Sequence, residues 1–210
     1  MAPTRQRSAR PIRLYLITDR TQTRGRRLVD VVEAAVRGGV DAVQLREKDL
    51  PARELIELAR ALRGICRRYG AQLLINDRID VALAADADGV HLRATSFDVA
   101  DARALLGNRL IGVSCHSVAD VENARGADFV VLGPIYATPS KAEYGTPLGL
   151  AVLARAVKHA PMPILALGGV DREHAGELRQ FGASGVAVIR AICAADDPAI
   201  AAALLQSAVK

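Results

Sequence analysis

Eight short apolar runs recur along the chain, at residues 14–19, 42–47, 72–77, 89–92, 111–116, 129–135, 163–169 and 185–191. Amphipathic stretches rich in Ala and Leu separate them, over 28–38, 51–69, 79–85, 99–106, 118–125, 150–159, 172–181 and 198–209. Apolar runs of this length that alternate with helical patterns read as parallel βαβ units, because a parallel strand needs a long crossover connection. Eight such units in 210 residues predict an α/β fold, a single closed (β/α)8 TIM barrel. Such barrels keep their chemistry at the C-terminal strand ends, and there this sequence places its polar and glycine-rich clusters.

The expected organisation is a basic N-terminal tail over residues 1–13 and one barrel domain over 14–210. No run approaches the length of a membrane span, and the N-terminus lacks the apolar stretch of a secretory signal. The three cysteines, Cys66, Cys115 and Cys193, have no metal-type spacing, so a reducing cytoplasm is the expected setting. The net charge of +5 gathers in residues 1–13 and 20–27, but aromatic stacking residues are scarce, which argues against nucleic acid. The second basic cluster follows the first strand; it reads equally as a lure for a polyanionic substrate and as a solvated loop.

Several strand ends carry candidate chemistry. Gln44, Arg46 and Lys48 recur at a period of two and share one face of an extended segment. An arginine fork beside a lysine suits phosphate or pyrophosphate, although an Arg–Glu network filling the barrel would give the same pattern. Asn76 and Asp77 end the third run; a carboxylate beside a phosphate site suggests a bridging Mg²⁺, and the competing reading is a cap for the next helix. Ser114 and His116 fall on one side of the fifth run and suit hydrogen bonding and proton transfer, with Cys115 turned toward the helices. Gly168 and Gly169 after the seventh run, with Arg190 after the eighth, form a second anion site. The long connection 137–149 carries Thr138, Ser140 and Lys141, and Lys141 could reach between the two sites. Ser117 and Asp171 are expected helix N-caps. These residues together predict an enzyme acting on two phosphorylated small molecules, or on one with a phosphate at each end.

The segments YLITD, QLREK, INDR, GVHL, GVSCHS, LGPIYATPSK, ALGGV and GVAVIRAI resemble, in order and across nearly the whole chain, the thiamine phosphate synthase family and its relative, the thiazole tautomerase. The resemblance implies joining an aminopyrimidine methyl diphosphate to a thiazole phosphate with release of pyrophosphate, the diphosphate leaving first. It implies that Gln44, Leu45, Arg46, Glu47, Lys48, Asn76, Ser114 and Lys141 hold the pyrimidine diphosphate. Thr138, Pro139, Ser140, Gly168, Gly169, Ile189 and Arg190 would hold the thiazole phosphate. Arg46, Lys48, Ser114, His116 and Lys141 would be catalytic, and Asp77 would bind Mg²⁺ with a second ligand position falling on Ser96. That serine replaces an acidic residue of the synthase pattern and looks like the tautomerase, whereas Asn76, Asp77 and the TPSK loop look like the synthase. The synthase is the expected activity and the tautomerase the alternative, with a non-catalytic thiamine-linked regulator a more distant one. The expected partners are the two phosphorylated substrates and a second copy of the chain in a homodimer, with neither nucleic acid nor membrane.

Overall fold

A computed structural model describes residues 11–138 and 146–210. Eight parallel strands close in the order β1–β8, each hydrogen-bonded to the next and β8 to β1. They are β1 Leu14–Ile17, β2 Ala42–Leu45, β3 Gln72–Asn76, β4 Gly89–Leu92, β5 Leu110–Cys115, β6 Phe129–Leu132, β7 Ile164–Leu167 and β8 Gly185–Val188. The crossovers run through α1 Leu28–Arg37, α2 Ala52–Tyr69, α3 Ile79–Ala84, α4 Val99–Leu106, α5 Val118–Asn123, α6 Gly149–His159 and α7 Arg172–Gln180. After β8 come a short helix, α8 Arg190–Cys193, and α9 Pro198–Ala208, which packs on α1 and α7.

Side-chain alternation splits the core into two layers. Tyr15, Ile17, Ala42, Leu74, Phe129, Val131, Leu165 and Ala187 fill the barrel interior. Leu14, Leu16, Val43, Leu45, Leu73, Ile75, Val90, Leu132 and Ala166 point outward under the helices. Cys115 belongs to this outer layer, as its place in the alternation predicted. Cys66, Cys115 and Cys193 are all buried and unpaired, and burial pushes their thiols up to about 12, 12 and 11.

Local signals set the helix ends. Ser117 Oγ accepts from the Asp120 amide to start α5, and Asp171 accepts from the His174 amide to start α7. Asp197 caps α9 by accepting from the Ala199 and Ile200 amides, with Pro198 at the first helical position. Ile12 packs against the interior layer and the Arg13 carbonyl accepts from the Val186 amide at 2.8 Å. The barrel therefore begins before residue 14; residues 1–10 of the expected tail lie outside the described residues. No described helix is long and apolar enough to cross a membrane.

Candidate active site

A polar column rises through the barrel toward the C-terminal mouth. Gln44, Tyr15, His91 and Ser114 come from four strands and meet because each occupies an inward position of its own strand. Gln44 Nε2 donates to Tyr15 Oη at 3.2 Å; Tyr15 Oη lies 3.3 Å from His91 Nδ1, and His91 Nε2 lies 3.0 Å from Ser114 Oγ. Burial first, and Arg46 second, push His91 down to about 3, so its ring is neutral. The neutral His91 ring bridges Tyr15 Oη and Ser114 Oγ, one of its nitrogens donating and the other accepting. Phe129 packs edge-on against Tyr15, and a Cβ on Gly112 would fall 2.7 Å from His91 Nδ1, so a side chain there would dislodge the imidazole. His116 is not part of this column. It sits past the end of β5, where its Nδ1 is 2.7 Å from the Gly133 carbonyl and its ring is exposed.

Two cavities open on opposite halves of the mouth. The first, about 260 Å³, lies beyond β2, β3 and β4 and is lined by Lys48, Asn76, Asp77 and Arg93, among others. Arg46 is set beside it by Thr18, whose Oγ1 accepts from the Arg46 amide at 2.9 Å and donates to Glu47 Oε1 at 2.7 Å. Neither Arg46 nor Lys48 has an ion-pair partner among the described residues. Arg46, then burial, then Arg93 lower the Lys48 ammonium from its ordinary value, because cations stand close to it. Leu45 and Glu47 also line this cavity. The buried Glu47 carboxylate is committed to Thr18 and to the Arg20 amide and guanidinium at 3.2 Å, and Leu45 packs outward under the helices.

Asp77 closes β3 with a left-handed backbone (φ 62°) and does not cap α3, whose N-cap is Arg78. Its amide donates to the His91 carbonyl at 2.9 Å, which fixes the carboxylate over β4. There Asp77 Oδ2 accepts from Arg93 Nε at 2.7 Å and Nη2 at 2.5 Å, while Oδ1 is buried with no hydrogen-bond partner among the described residues. Burial works to raise this carboxyl, but Ser96 and Arg93 outweigh it and hold the group below the ordinary carboxylate value. An ionised, partnerless oxygen fits Mg²⁺, which takes one or two carboxylates and completes its shell with phosphate oxygens and water. Ser96 adds only a neutral hydroxyl, and no group of three or more His, Cys, Asp or Glu able to hold a metal occurs among the described residues. Asp80 is turned away, paired with Arg78 on α3.

The second cavity, about 290 Å³, lies beyond β6, β7 and β8 and is lined by Gln22, Thr138, Gly168, Gly169, Ile189 and Arg190, among others. Gly168 (φ 101°) and Gly169 (φ 65°) take backbone conformations that other residues rarely adopt. Added Cβ atoms would meet Pro134 at 2.6 Å and Tyr136 at 2.7 Å, so this wall is bare backbone by necessity. Tyr136 stacks on His174 at 4.1 Å and donates to Glu177, anchoring the start of the long connection on α7. Pro139, Ser140 and Lys141 lie outside the described residues.

The basic cluster after β1 is tied into the structure. Arg20 forms a two-pronged bond with Asp49 at 2.6 Å, Arg24 pairs with Asp196, and Arg26 donates to the Cys193, Ala195 and Asp196 carbonyls. Reasoning from sequence missed Thr18, His91 and Arg93 as site residues. All three sit at or next to the C-terminal half of a strand, a position that could have flagged them.

Residues 14–192 match the family model described as thiamine monophosphate synthase. The chain is 57% identical over 188 residues, 88% of each chain, to a Geobacter sulfurreducens protein provisionally named as a thiamine-phosphate synthase. It is 45% identical to the thiamine-phosphate synthase of Chloroflexus aurantiacus, over 94% of this chain and 92% of that one. Among solved structures, thiamine phosphate pyrophosphorylase from Pyrococcus furiosus superposes with a TM-score of 0.86 at 35% identity, over 95% of this chain and 96% of that one. These names are those of transferases, and none of them supports the tautomerase. With the barrel, its two cavities and these relatives in agreement, the chain belongs to the thiamine monophosphate synthase family.

Proposed function

We propose that this enzyme joins an aminopyrimidine methyl diphosphate to a thiazole phosphate, forming thiamine phosphate and pyrophosphate, in the cytoplasm, where its buried thiols stay reduced. The observation that carries the reading is the pair of cavities at one mouth, one lined by Lys48, Arg93, Asn76 and Asp77 and the other by the bare backbone of Gly168 and Gly169. Arg46 and Lys48 hold the diphosphate, while Gln44, Asn76 and Ser114, from inward positions of β2, β3 and β5, orient the pyrimidine. The Ser114 hydroxyl, hydrogen-bonded to His91 Nε2 at 3.0 Å, faces the pyrimidine from β5. Gly168, Gly169, Thr138, Ile189 and Arg190 receive the thiazole phosphate.

The bond between the pyrimidine methylene and oxygen breaks with its electron pair going to pyrophosphate. The thiazole nitrogen then supplies the pair that forms the new C–N bond. Cations preset where charge develops stabilise such a step without reorganising, the usual dominant contribution. Mg²⁺, held by Asp77 with Ser96 as a neutral neighbour, would supply further positive charge to the leaving group. His116, tethered by Gly133 at the rim, is a candidate proton carrier there. Purified protein given both substrates and Mg²⁺ should release thiamine phosphate and pyrophosphate in equal amounts, and far less with EDTA. No product, alongside isomerisation of thiazole carboxylate phosphate, would replace the synthase by the tautomerase.

A further inference from the structure

The first cavity holds a charge balance that bears on how a diphosphate enters it. Arg93 directs two N–H groups at a single oxygen of Asp77, at 2.7 and 2.5 Å, and the rest of its fork has no partner among the described residues. One carboxylate and one guanidinium already neutralise each other, and Arg46 and Lys48 stand nearby without a close ion pair among the described residues, with Asp19 the carboxylate that feels Arg46. A divalent cation approaching Asp77 therefore meets a guanidinium already seated on one of its oxygens, with Lys48 lining the same cavity, rather than a free carboxylate. Lys48 registers that field, since Arg46 and Arg93 both depress its ammonium. Arg93 can play this part because its side chain is more than half exposed (57%) while the carboxylate that anchors it is largely covered (17%). The anchor fixes the guanidinium plane, and the planar fork matches phosphate oxygens in a way a lysine does not.

We propose that Arg93 is a third cation of the diphosphate clamp, pre-set on Asp77, so that the diphosphate binds without a metal and the divalent ion is recruited only afterwards. This rests on the proposed synthase reading and adds to it a residue and an order of binding. Arg93 contacts the diphosphate directly and at the same time competes with the metal for Asp77. Turnover still requires the metal; capture of the anion does not.

Inorganic pyrophosphate and Mn²⁺ serve as probes, each titrated alone into the full-length protein. Calorimetry in EDTA should show pyrophosphate binding to the wild type, weakened at least tenfold by Arg93→Ala. Electron paramagnetic resonance in the absence of pyrophosphate should show Mn²⁺ bound at least tenfold more tightly by Arg93→Ala than by the wild type. Circular dichroism checks that the variant is folded, as the exposure of Arg93 leads us to expect. Pyrophosphate affinity equal to that of the wild type in Arg93→Ala, or metal binding that is equal or weaker, overturns the assignment. Lys48→Ala separates the two levels of argument. If it loses pyrophosphate while Arg93→Ala does not, the clamp stands and Arg93 is no part of it; if neither variant loses it, the clamp itself is wrong.

Discussion

The two ends of the barrel treat charge in opposite ways. At the N-terminal end, Asp41, Asp88 and Asp128 each precede a strand and accept from the backbone of the strand before it. Asp41 takes the Leu14 amide at 2.8 Å, Asp88 the Leu73 amide at 2.9 Å and Asp128 the Ile111 amide at 2.7 Å. Arginines complete two of these sites, Arg63 on Asp88 at 3.0 Å and Arg103 on Asp128 at 2.7 Å, and Gln206 donates to Asp41 at 3.2 Å. At the C-terminal end, Arg46 and Lys48 are left without ion pairs among the described residues, and the wall beyond β7 is bare glycine backbone. One end satisfies its charges internally and holds the strands together; the other leaves cations and amides for a ligand. Parallel strands make this division natural, since all C-terminal ends, with their variable loops, emerge on one face.

The contrast can be broken by exchanging what each end is asked to do. Asp88→Ala should have the largest effect, about 3 kcal/mol lost, because it removes the buried carboxylate that Arg63 meets at 3.0 Å and that accepts from the Leu73 amide. Urea denaturation measures that loss, and turnover per folded molecule should stay at the wild-type level; a fall in turnover would dissolve the division. Arg46→Ala should do the reverse, lowering kcat/KM about 100-fold, or about 2.7 kcal/mol, with an unchanged urea midpoint. A destabilised but active Arg46→Ala protein would make Arg46 a structural group after all.

The smallest effect sharpens the comparison at its middle, where the polar column links the two ends. The His91 ring is held neutral down to about pH 3 by burial, whereas in the unfolded chain it protonates near 6.5. Between those values the unfolded state binds the extra proton, so stability is full above pH 6.5 and falls as pH drops toward 3. The slope from this group is at most about 1.4 kcal/mol per pH unit. Urea midpoints taken from pH 7 to pH 5 should show that decline, and His91→Asn should flatten it; an equal slope in the variant would assign the decline to other groups.

Much of the architecture was legible because each strand carries its own periodicity. Gln44 and Ser114 alternate with outward-facing neighbours, and the structure turns both of them inward as expected. The expected strands ran too far at their C-terminal ends, where Asp19, Glu47, Asp77, His116 and Gly169 leave the ladder to build the mouth. Apolar pattern does not register that exit. Asp77 shows why: its left-handed backbone is a response to the strand beside it, visible in the bond from its amide to His91. The 3₁₀ turn Arg20–Gln22 and α8 Arg190–Cys193 also went unread, being too short to display a helical period.

The sequence by itself determined the number of strands, their parallel order and the inward face of β2 and β5, because these follow from chain-local periodicity. Pairings between distant residues were decided only in the closed barrel. Thr18 meets Glu47 across 29 positions, Arg93 meets Asp77 across 16, and Tyr15 meets His91 across 76. A local pattern constrains which way a side chain points, whereas its partner depends on the register and tilt with which eight strands close. That is why the basic cluster after β1, read equally as a substrate lure and a solvated loop, is seen only in the fold to pair with Asp49 and Asp196, and why Arg93 sits on the Asp77 carboxylate.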